Sequence, residues 1–254
     1  MKKITMCILI ALLTSCSDPK PETTSSENKT ALSKQVSQVA GNWISDQYLE
    51  NIKKTKSVYQ NKIYGTKVLF FNLDKNELET GSATLHGFTD HEGGYDVPIK
   101  FNKEKNEFVK DDSKKSDAPT FKDFFELKPN QTKLEIYFPQ TKTIETYQNL
   151  STDLDTELRK ILFTGNYTDA DSKSKINFSD NGEVNFRDYK SYRVINDFTT
   201  GPDFDAIIFY KSIENEDLYQ FKIVDKTLEL QSMQGNNNDP TYKANGKKII
   251  LIKE

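Results

Sequence analysis

A twelve-residue pattern occurs twice in this 254-residue chain, as FELKPNQTKLEI at 125–136 and as YQFKIVDKTLEL at 219–230. In each copy, apolar and polar residues alternate on both sides of a short turn-like centre, which is typical of a β-hairpin. The two copies keep a constant offset of 94 residues over their whole length. The pattern therefore predicts one β-module that is present twice.

A shorter correspondence lies at the start of each predicted module. Gly41-Asn42-Trp43 is followed 124 residues later by Gly165-Asn166-Tyr167. Since the hairpins are only 94 residues apart, the first module is expected to carry thirty additional residues. Together the two correspondences indicate two copies of one β-module.

Both halves are rich in short alternating segments that are separated by turn residues. In the first half we predict strands near 66–73, 77–87, 95–101, 106–110, 122–128, 132–138 and 142–147. In the second half we predict them near 165–168, 174–179, 183–187, 189–195, 205–212, 217–223, 227–233 and 247–252. Successive short strands without intervening βαβ helices favour an all-β fold of two tandem up-and-down antiparallel β-barrel modules.

Three short helices are expected to flank the barrels. Apolar residues at helical spacing predict one helix within 31–39. Ser45 is expected to cap a second helix over 46–56, and Ser151 a third over 152–162. The third helix would join the two modules.

The Gly-Asn-Trp and Gly-Asn-Tyr stretches resemble the Gly-x-Trp opening of lipocalin-like domains found in bacterial lipoproteins. The resemblance could cover 38–150 and 163–254. It implies an up-and-down β-barrel that often holds a small apolar ligand. In that family an arginine of the last strand usually packs over the tryptophan. Here Trp43 is expected to be a core residue that closes the base of the first barrel. The arginines of this chain fall on no late strand, being Arg159, Arg187 and Arg193.

The N-terminus has the layout of a secretory signal peptide over 1–15. A basic start precedes an apolar run over 4–14, which is too short to span a bilayer. Leu13-Thr14-Ser15-Cys16 also resembles a bacterial lipobox. That resemblance implies cleavage before Cys16 and acylation of its sulfur and its amine. The alternative is an ordinary cleaved signal peptide.

Residues 16–30 contain no large apolar side chain apart from the anchor cysteine and are predicted to be a disordered tether. The first module is then placed at 31–150 and the second at 151–254. The predicted location is the cell envelope, with the lipid in the outer membrane. Ser17 favours that membrane, because an Asp at this place is the familiar inner-membrane retention signal. The orientation of the domains toward the periplasm or the exterior stays open.

Composition excludes several classes of function. The net charge of −3 and the scattered lysines give no basic stripe for phosphates, so no nucleic-acid partner is expected. Cys7 lies in the predicted signal peptide, and the second cysteine is the predicted lipid anchor. A mature disulfide, a free thiol nucleophile and a cysteine zinc cage are therefore not expected, and no cofactor is predicted.

One segment suggests a binding site. Both histidines of the chain, His86 and His91, fall in it, together with Glu92 and the following Tyr95. Imidazole and carboxylate groups could bind a metal ion or a small ligand at the mouth of the first barrel. The alternative is an ordinary polar strand end and hairpin loop.

A second acidic group surrounds a Gly-Pro turn. Asp197, Asp203 and Asp205 could supply oxygen ligands to calcium. The alternative, which we favour, is a solvated loop between strands.

No catalytic signature such as a Gly-x-Ser-x-Gly elbow, a phosphate-binding glycine loop or a His-Glu-x-x-His helix occurs in the sequence. We therefore predict a non-enzymatic, membrane-anchored lipoprotein that serves as an envelope interaction or scaffold protein with a protein partner. The alternative is a binding module for a small ligand or a metal in the first barrel. A hydrolase has less support.

Overall fold

The computed structural model describes residues 23–62, 68–88, 94–115, 127–130, 132–138, 142–236 and 239–254. Within these ranges, side chains are described for all residues except 23–28, 95, 127, 128, 130, 138, 236, 239 and 240. The helices in this part of the chain are α1 Thr23–Val39, α2 Asp46–Thr55, α3 Lys75–Glu79 and α4 Leu154–Leu162.

The strands fall into two groups of eight. Those of the first module are β1 Gly41–Ser45, β2 Phe70–Leu73, β3 Ser82–Phe88, β4 Gly94–Asn102, β5 Glu107–Lys110, β6 Leu127–Asn130, β7 Lys133–Phe138 and β8 Thr143–Leu150. Those of the second are β9 Gly165–Asp169, β10 Lys175–Phe178, β11 Ser191–Val194, β12 Ala206–Ser212, β13 Asn215–Val224, β14 Thr227–Asn236, β15 Asp239–Ala244 and β16 Ile249–Lys253.

Each group forms one curled antiparallel sheet, a half-barrel. In the first module the strand order is β5-β4-β3-β2-β1-β8-β7-β6, so the first and last strands pair and the interruption falls between β5 and β6. In the second module the order is β10-β9-β16-β14-β13-β12-β11, and β15 is added beside β14. The predicted all-β class with two tandem barrel-like modules is confirmed.

The repeated hairpin has the same register in both modules. In the first module Leu127 pairs with Ile136, and in the second Phe221 pairs with Leu230. The other three pairs of β6 and β7 likewise become pairs of β13 and β14 when 94 is added to each number. A shift of one residue would turn the apolar side chains to the opposite face, so the shared alternation fixes this common register.

The repeated glycine stands at the same point of each sheet. Gly41 has φ +120° and Gly165 has φ +138°, values that side-chain-bearing residues rarely adopt. A Cβ at Gly41 would lie 2.9 Å from the side-chain nitrogen Nδ2 of Asn149, and one at Gly165 would lie 3.0 Å from Cε of Lys253. Both neighbours belong to the last strand of their module, so the glycine permits the first strand to cross closely beside it.

The repeated asparagine forms a cross-strand hydrogen bond in both modules. The side-chain amide of Asn72 donates to Oδ1 of Asn42 at 2.7 Å, and that of Asn177 donates to Oδ1 of Asn166 at 2.9 Å. In each case the donor stands directly opposite on the second strand. The two openings are therefore equivalent in backbone, register and side-chain bonding.

The helices agree with prediction in part. Ser45 caps α2 through a contact with the amide of Tyr48, as expected. The predicted Ser151 cap of α4 is wrong, because Asp153 takes that position and accepts from the amide of Thr156 at 2.6 Å. A carboxylate at this place also interacts favourably with the helix dipole.

Helix α1 begins at Thr23, ahead of the predicted start of order at 31. Its apolar residues Val36 and Val39 are buried in the first module. Once such a face is docked, each further residue adds one helical hydrogen bond, so polar residues upstream can join the helix. The domain boundaries themselves stay predictions.

Two of the strand predictions need correction. The strand expected from residue 77 starts at Ser82, because Asp74 caps α3 by accepting from the amides of Asn76 and Glu77. The strand expected over 183–187 is reduced to isolated bridges, since Arg187 has φ +54° and turns the chain. Strands β1 and β15 were not predicted. Parts of the strands expected at 66–73 and 122–128 lie outside the described residues.

Buried side chains form two clusters. The first lies within the first module and contains Trp43, Phe71 and Tyr147 among its aromatic residues. The second fills the second module and also includes Tyr48, Leu49 and Ile52 of α2, together with Leu158 and Leu162 of α4. The first half of the chain therefore supplies part of the hydrophobic core of the second module.

Candidate functional site

His86 lies on β3 in an outward-facing position, between the buried Leu85 and Gly87. Its Nδ1 is 2.8 Å from Oδ1 of Asp96 on the neighbouring strand β4, and the two side chains are 41% and 58% exposed. On its other side His86 stands opposite Asn72, which donates to Asn42. The histidine thus belongs to a polar row that crosses four strands on the outer face of the first module.

The rest of the predicted histidine site cannot be placed in the same way. His91, Glu92 and the predicted lipid anchor Cys16 lie outside the described residues. Tyr95 belongs to β4 and its backbone pairs with Gly87. Across the described ranges, no group of three or more His, Cys, Asp or Glu is arranged to hold a metal ion.

The acidic turn at 197–205 is only in part the solvated loop that we favoured, since Asp197 and Asp203 are exposed whereas Asp205 is half-buried. Asp205 lies at its end and accepts three hydrogen bonds from the first half of the chain. The donors are the hydroxyl of Ser57 at 2.6 Å, the amide of Val58 at 2.7 Å and the amide of Tyr59 at 2.8 Å. Burial raises the pKa of the Asp205 carboxyl, although these three hydrogen bonds act in the opposite direction. Asp205 is therefore an anchor between the two halves of the chain.

The interior of the second module is filled with aromatic side chains. Phe163, at the end of α4, packs against Phe221 with ring centroids 4.9 Å apart and against Phe178 at 5.8 Å. Phe178 in turn contacts Tyr192 at 5.1 Å, and these rings are at most 3% exposed. Ring pairs at these separations occupy the space that a ligand would need inside a barrel.

A polar network closes one end of this aromatic interior. The hydroxyl of Tyr189 donates to Asp217 at 2.8 Å and lies 3.1 Å from the hydroxyl of Tyr219, which accepts from Arg187 at 3.3 Å. Burial, followed by the hydrogen bonds to Tyr219 and Asp217, raises the pKa of Tyr189 well above its usual value. These hydroxyls therefore satisfy one another's hydrogen-bonding capacity.

The described core of the first module is also built around aromatic rings. Trp43 is stacked on Phe71 with ring centroids 6.4 Å apart, and Phe71 meets Tyr147 edge to face at 5.0 Å. Val97 and Ile99 of β4 are buried against the same cluster. The expectation that Trp43 is a core residue is confirmed, since its side chain is 3% exposed.

A large open groove lies on the outside of the second module and has a volume of about 1210 Å³. Its floor contains Ile208 of β12, Leu218 of β13 and Met233 of β14. Ile208 and Leu218 are direct cross-strand partners, so their side chains share the outer face. We refer to this feature as the outer groove.

Both walls of the outer groove are held in place. One wall is the segment 195–205, whose Phe198 packs edge to face on Tyr59 at 5.3 Å and whose end is anchored by Asp205. The opposite wall contains Tyr242, whose ring lies so close over Gly235 that a Cβ there would be 2.5 Å from Cε1. Phe204 contacts the same ring at 5.6 Å. These contacts hold both walls of the outer groove in place.

The rim of the outer groove is acidic. Asp197, Asp203 and Glu216 line it with exposed side chains, and Asp217 lies at its end. The described residues that line the groove include no Lys, Arg or His. Lys211 lies near the end and is 3.3 Å from Asp217. The groove thus combines an apolar floor with a negative rim.

Comparisons with known proteins gave no match to a family model, to a curated protein or to a solved structure. In the part of the chain that the structure describes, none of the helices has the length and apolar character needed to cross a membrane. The role of the outer groove is therefore inferred from its own residues. The groove was not predicted from the sequence, although adjacent apolar pairs at Ile207-Ile208 and Leu218-Tyr219 indicate strands with two apolar faces.

Proposed function

We propose that this protein is a non-enzymatic interaction protein of the bacterial envelope, which presents the outer groove to a partner protein. The observation that carries this proposal is the aromatic filling of the second module, where Phe163, Phe178 and Tyr192 occupy the interior. A module without internal space has to recognise its partner on its surface. The outer groove is the surface best suited to do so, because its walls are fixed and its floor is apolar.

The proposal includes an anchor at Cys16, which follows the lipobox-like residues 13–15. Two or three acyl chains would hold the protein firmly on a membrane, whereas one chain gives only marginal binding. Ser17 supports the outer membrane as that location. Attachment at one end would leave both modules accessible to a partner.

A second candidate function is small-ligand or metal binding at the first module. The observation that favours it is the His86–Asp96 pair, because a carboxylate that holds Nδ1 leaves the other ring nitrogen available to a ligand. The outward position of His86 places such a site on the surface of the sheet.

Site-specific photo-cross-linking in cells that make the protein tests the main proposal. A photoreactive residue in place of Tyr242 should yield one discrete protein adduct. The same residue in place of Ile144, which is 62% exposed on the first module, should yield no such adduct. Equal labelling from both positions, or none from position 242, would contradict the proposal. Fatty-acid labelling that persists in Cys16→Ser would contradict the anchor.

A further inference from the structure

We propose that the outer groove takes an extended, basic segment of the partner protein, with alternate side chains turned to its apolar floor. This inference rests on the proposed function and specifies the partner's chemistry. The relevant observations are the size of the groove, its floor and the charge of its rim.

Size favours a polypeptide segment. The volume of about 1210 Å³ exceeds the ~300–1,000 Å³ that is typical of small-molecule sites. The groove lies between residues 195–203 and the wall with Tyr242, and the two walls meet where Phe204 contacts the Tyr242 ring at 5.6 Å. A surface groove of this size can accommodate several residues of a polypeptide.

The floor favours apolar side chains at every second position. Ile208 and Leu218 lie side by side on neighbouring strands, and Met233 continues the floor on β14. Methionine adapts its shape readily to different apolar partners. An extended segment turns alternate side chains to opposite faces, so one set can cover this floor while the other set points toward the rim.

The rim favours basic residues among the side chains of the partner segment that point away from the floor. Asp203 and Glu216 are exposed, and neither forms an ion pair with another described residue. Asp197 also accepts from the amide of Thr199 at 2.9 Å, which fixes its carboxylate at the rim. Lysine or arginine side chains of a partner would meet these carboxylates, and opposite charges of this kind steer association.

Charge also argues against other occupants. This chain carries a net charge of −3, so a second copy offers no general complement to an acidic rim. Anionic lipid headgroups would be repelled by it for the same reason. A basic partner segment is the occupant that satisfies both the floor and the rim.

Fluorescence anisotropy with a labelled eight-residue peptide of alternating lysine and leucine tests the inference. The full chain would be held in nanodiscs of neutral lipid, with empty nanodiscs as the blank. We expect saturable binding that weakens as salt is added. A peptide with glutamate in place of lysine, and one with serine in place of leucine, should both bind much more weakly.

A pair of matched variants locates the binding. Asp203→Asn combined with Glu216→Gln should weaken the lysine–leucine peptide about tenfold, from two partly screened charge contacts. Glu214→Gln combined with Asp225→Asn removes the same charge at exposed turn positions outside the groove and should leave affinity unchanged. Melting temperatures check that all four substitutions preserve the fold.

Several results would overturn the inference. Equal weakening in both double variants would show general attraction to an acidic protein, and equal binding of the serine peptide would remove the role of the floor. Binding of spermine or calcium at the rim, without binding of the lysine–leucine peptide, would make it a small-cation site. An adduct from position 242 without peptide binding would leave the proposed function standing and exclude a basic partner.

Discussion

The hydroxyl of Tyr167 donates to the backbone carbonyl of Phe163, four residues earlier, at 2.8 Å. The indole Nε1 of Trp43 donates to the carbonyl of Val39, also four residues earlier and at 2.8 Å. Each aromatic ring is buried and ties the first strand of its module to the helix before it. Trp43 and Tyr167 therefore form the same helix–strand hydrogen bond at the start of their modules. This shared contact is stronger evidence that the modules are equivalent than the similarity of Gly-Asn-Trp to Gly-Asn-Tyr in the sequence.

Removal of the hydrogen bond at this joint should destabilise each module to a different degree. Tyr167→Phe keeps the ring and should lower the free energy of unfolding by about 1 kcal/mol. Trp43→Phe also removes ring volume beside Phe71 and should cost about 2–4 kcal/mol. Urea unfolding of both variants measures this, with the partly exposed Tyr210→Phe as control. If Trp43→Phe left the free energy of unfolding unchanged, the packing described for the first module would be contradicted.

The Asp205 anchor should contribute measurably to stability. Asp205→Ala would leave the Ser57 hydroxyl and two backbone amides without their acceptor. We expect a loss of about 3 kcal/mol in the free energy of unfolding, because unsatisfied buried donors are costly. Asp203→Ala, in the same segment but exposed, should change it by less than about 0.5 kcal/mol. Equal effects in the two variants would show that Asp205 is only a loop residue.

A residue of α2 should stabilise the second module. Ile52 is fully buried in the cluster that includes Leu158 and Leu162. Ile52→Ala should therefore cost about 2–5 kcal/mol and increase amide hydrogen exchange in β9 and β10. Lys53→Ala, on the exposed side of the same helix, is the matched control. An increase of amide exchange in the first sheet alone would contradict the packing of Ile52 in the core of the second module.

Acid should weaken the first module through Asp111. The Ser113 hydroxyl, at 2.7 Å, and the Lys100 ammonium, at 3.0 Å, lower the pKa of its carboxyl from 3.8 to about 2. A pKa that is lower in the folded state gives stability above the unfolded value, and this stability is lost as the pH falls from about 4 to about 2.

Urea midpoints at several pH values measure the contribution of Asp111. The Asp111→Asn variant should lose less stability than the unsubstituted protein between pH 4 and pH 2. Asp112→Asn, whose native side chain is 82% exposed, should follow the unsubstituted protein. If the slopes for Asp111→Asn and the unsubstituted protein coincided, the ionised carboxylate would have no stabilising role.

The sequence predicted the strands well where apolar and polar residues alternate, because such strands bury one face only. The hairpin at 219–230 has alternating residues, and its register is the one that the alternation requires. Strand β15 was not predicted because Asp239–Ala244 has no such alternation and pairs with β14 alone. The capping role of Asp153 was missed because Ser151, two residues earlier, is an equally suitable cap in sequence.

Long-range contacts could not be predicted from local pattern. Asp205 meets Ser57 across 148 positions of sequence, and nothing near either residue indicates the contact. A lysine takes the place of the expected arginine in the second module, since Nζ of Lys253 on the last strand lies 5.6 Å from the centre of the Tyr167 ring. A cation–π contact requires a positive charge rather than one residue type.

Native mass spectrometry of the gently extracted full chain tests most directly the central claim that the interior of the second module is filled and that recognition is external. We expect the mass of the acylated polypeptide alone, with no small molecule retained. The same measurement after incubation with the lysine–leucine peptide should show one bound peptide, lost in the Asp203→Asn, Glu216→Gln variant. A stoichiometric apolar compound released only on unfolding would contradict the account, because the aromatic interior around Phe163 and Phe178 leaves no place for it.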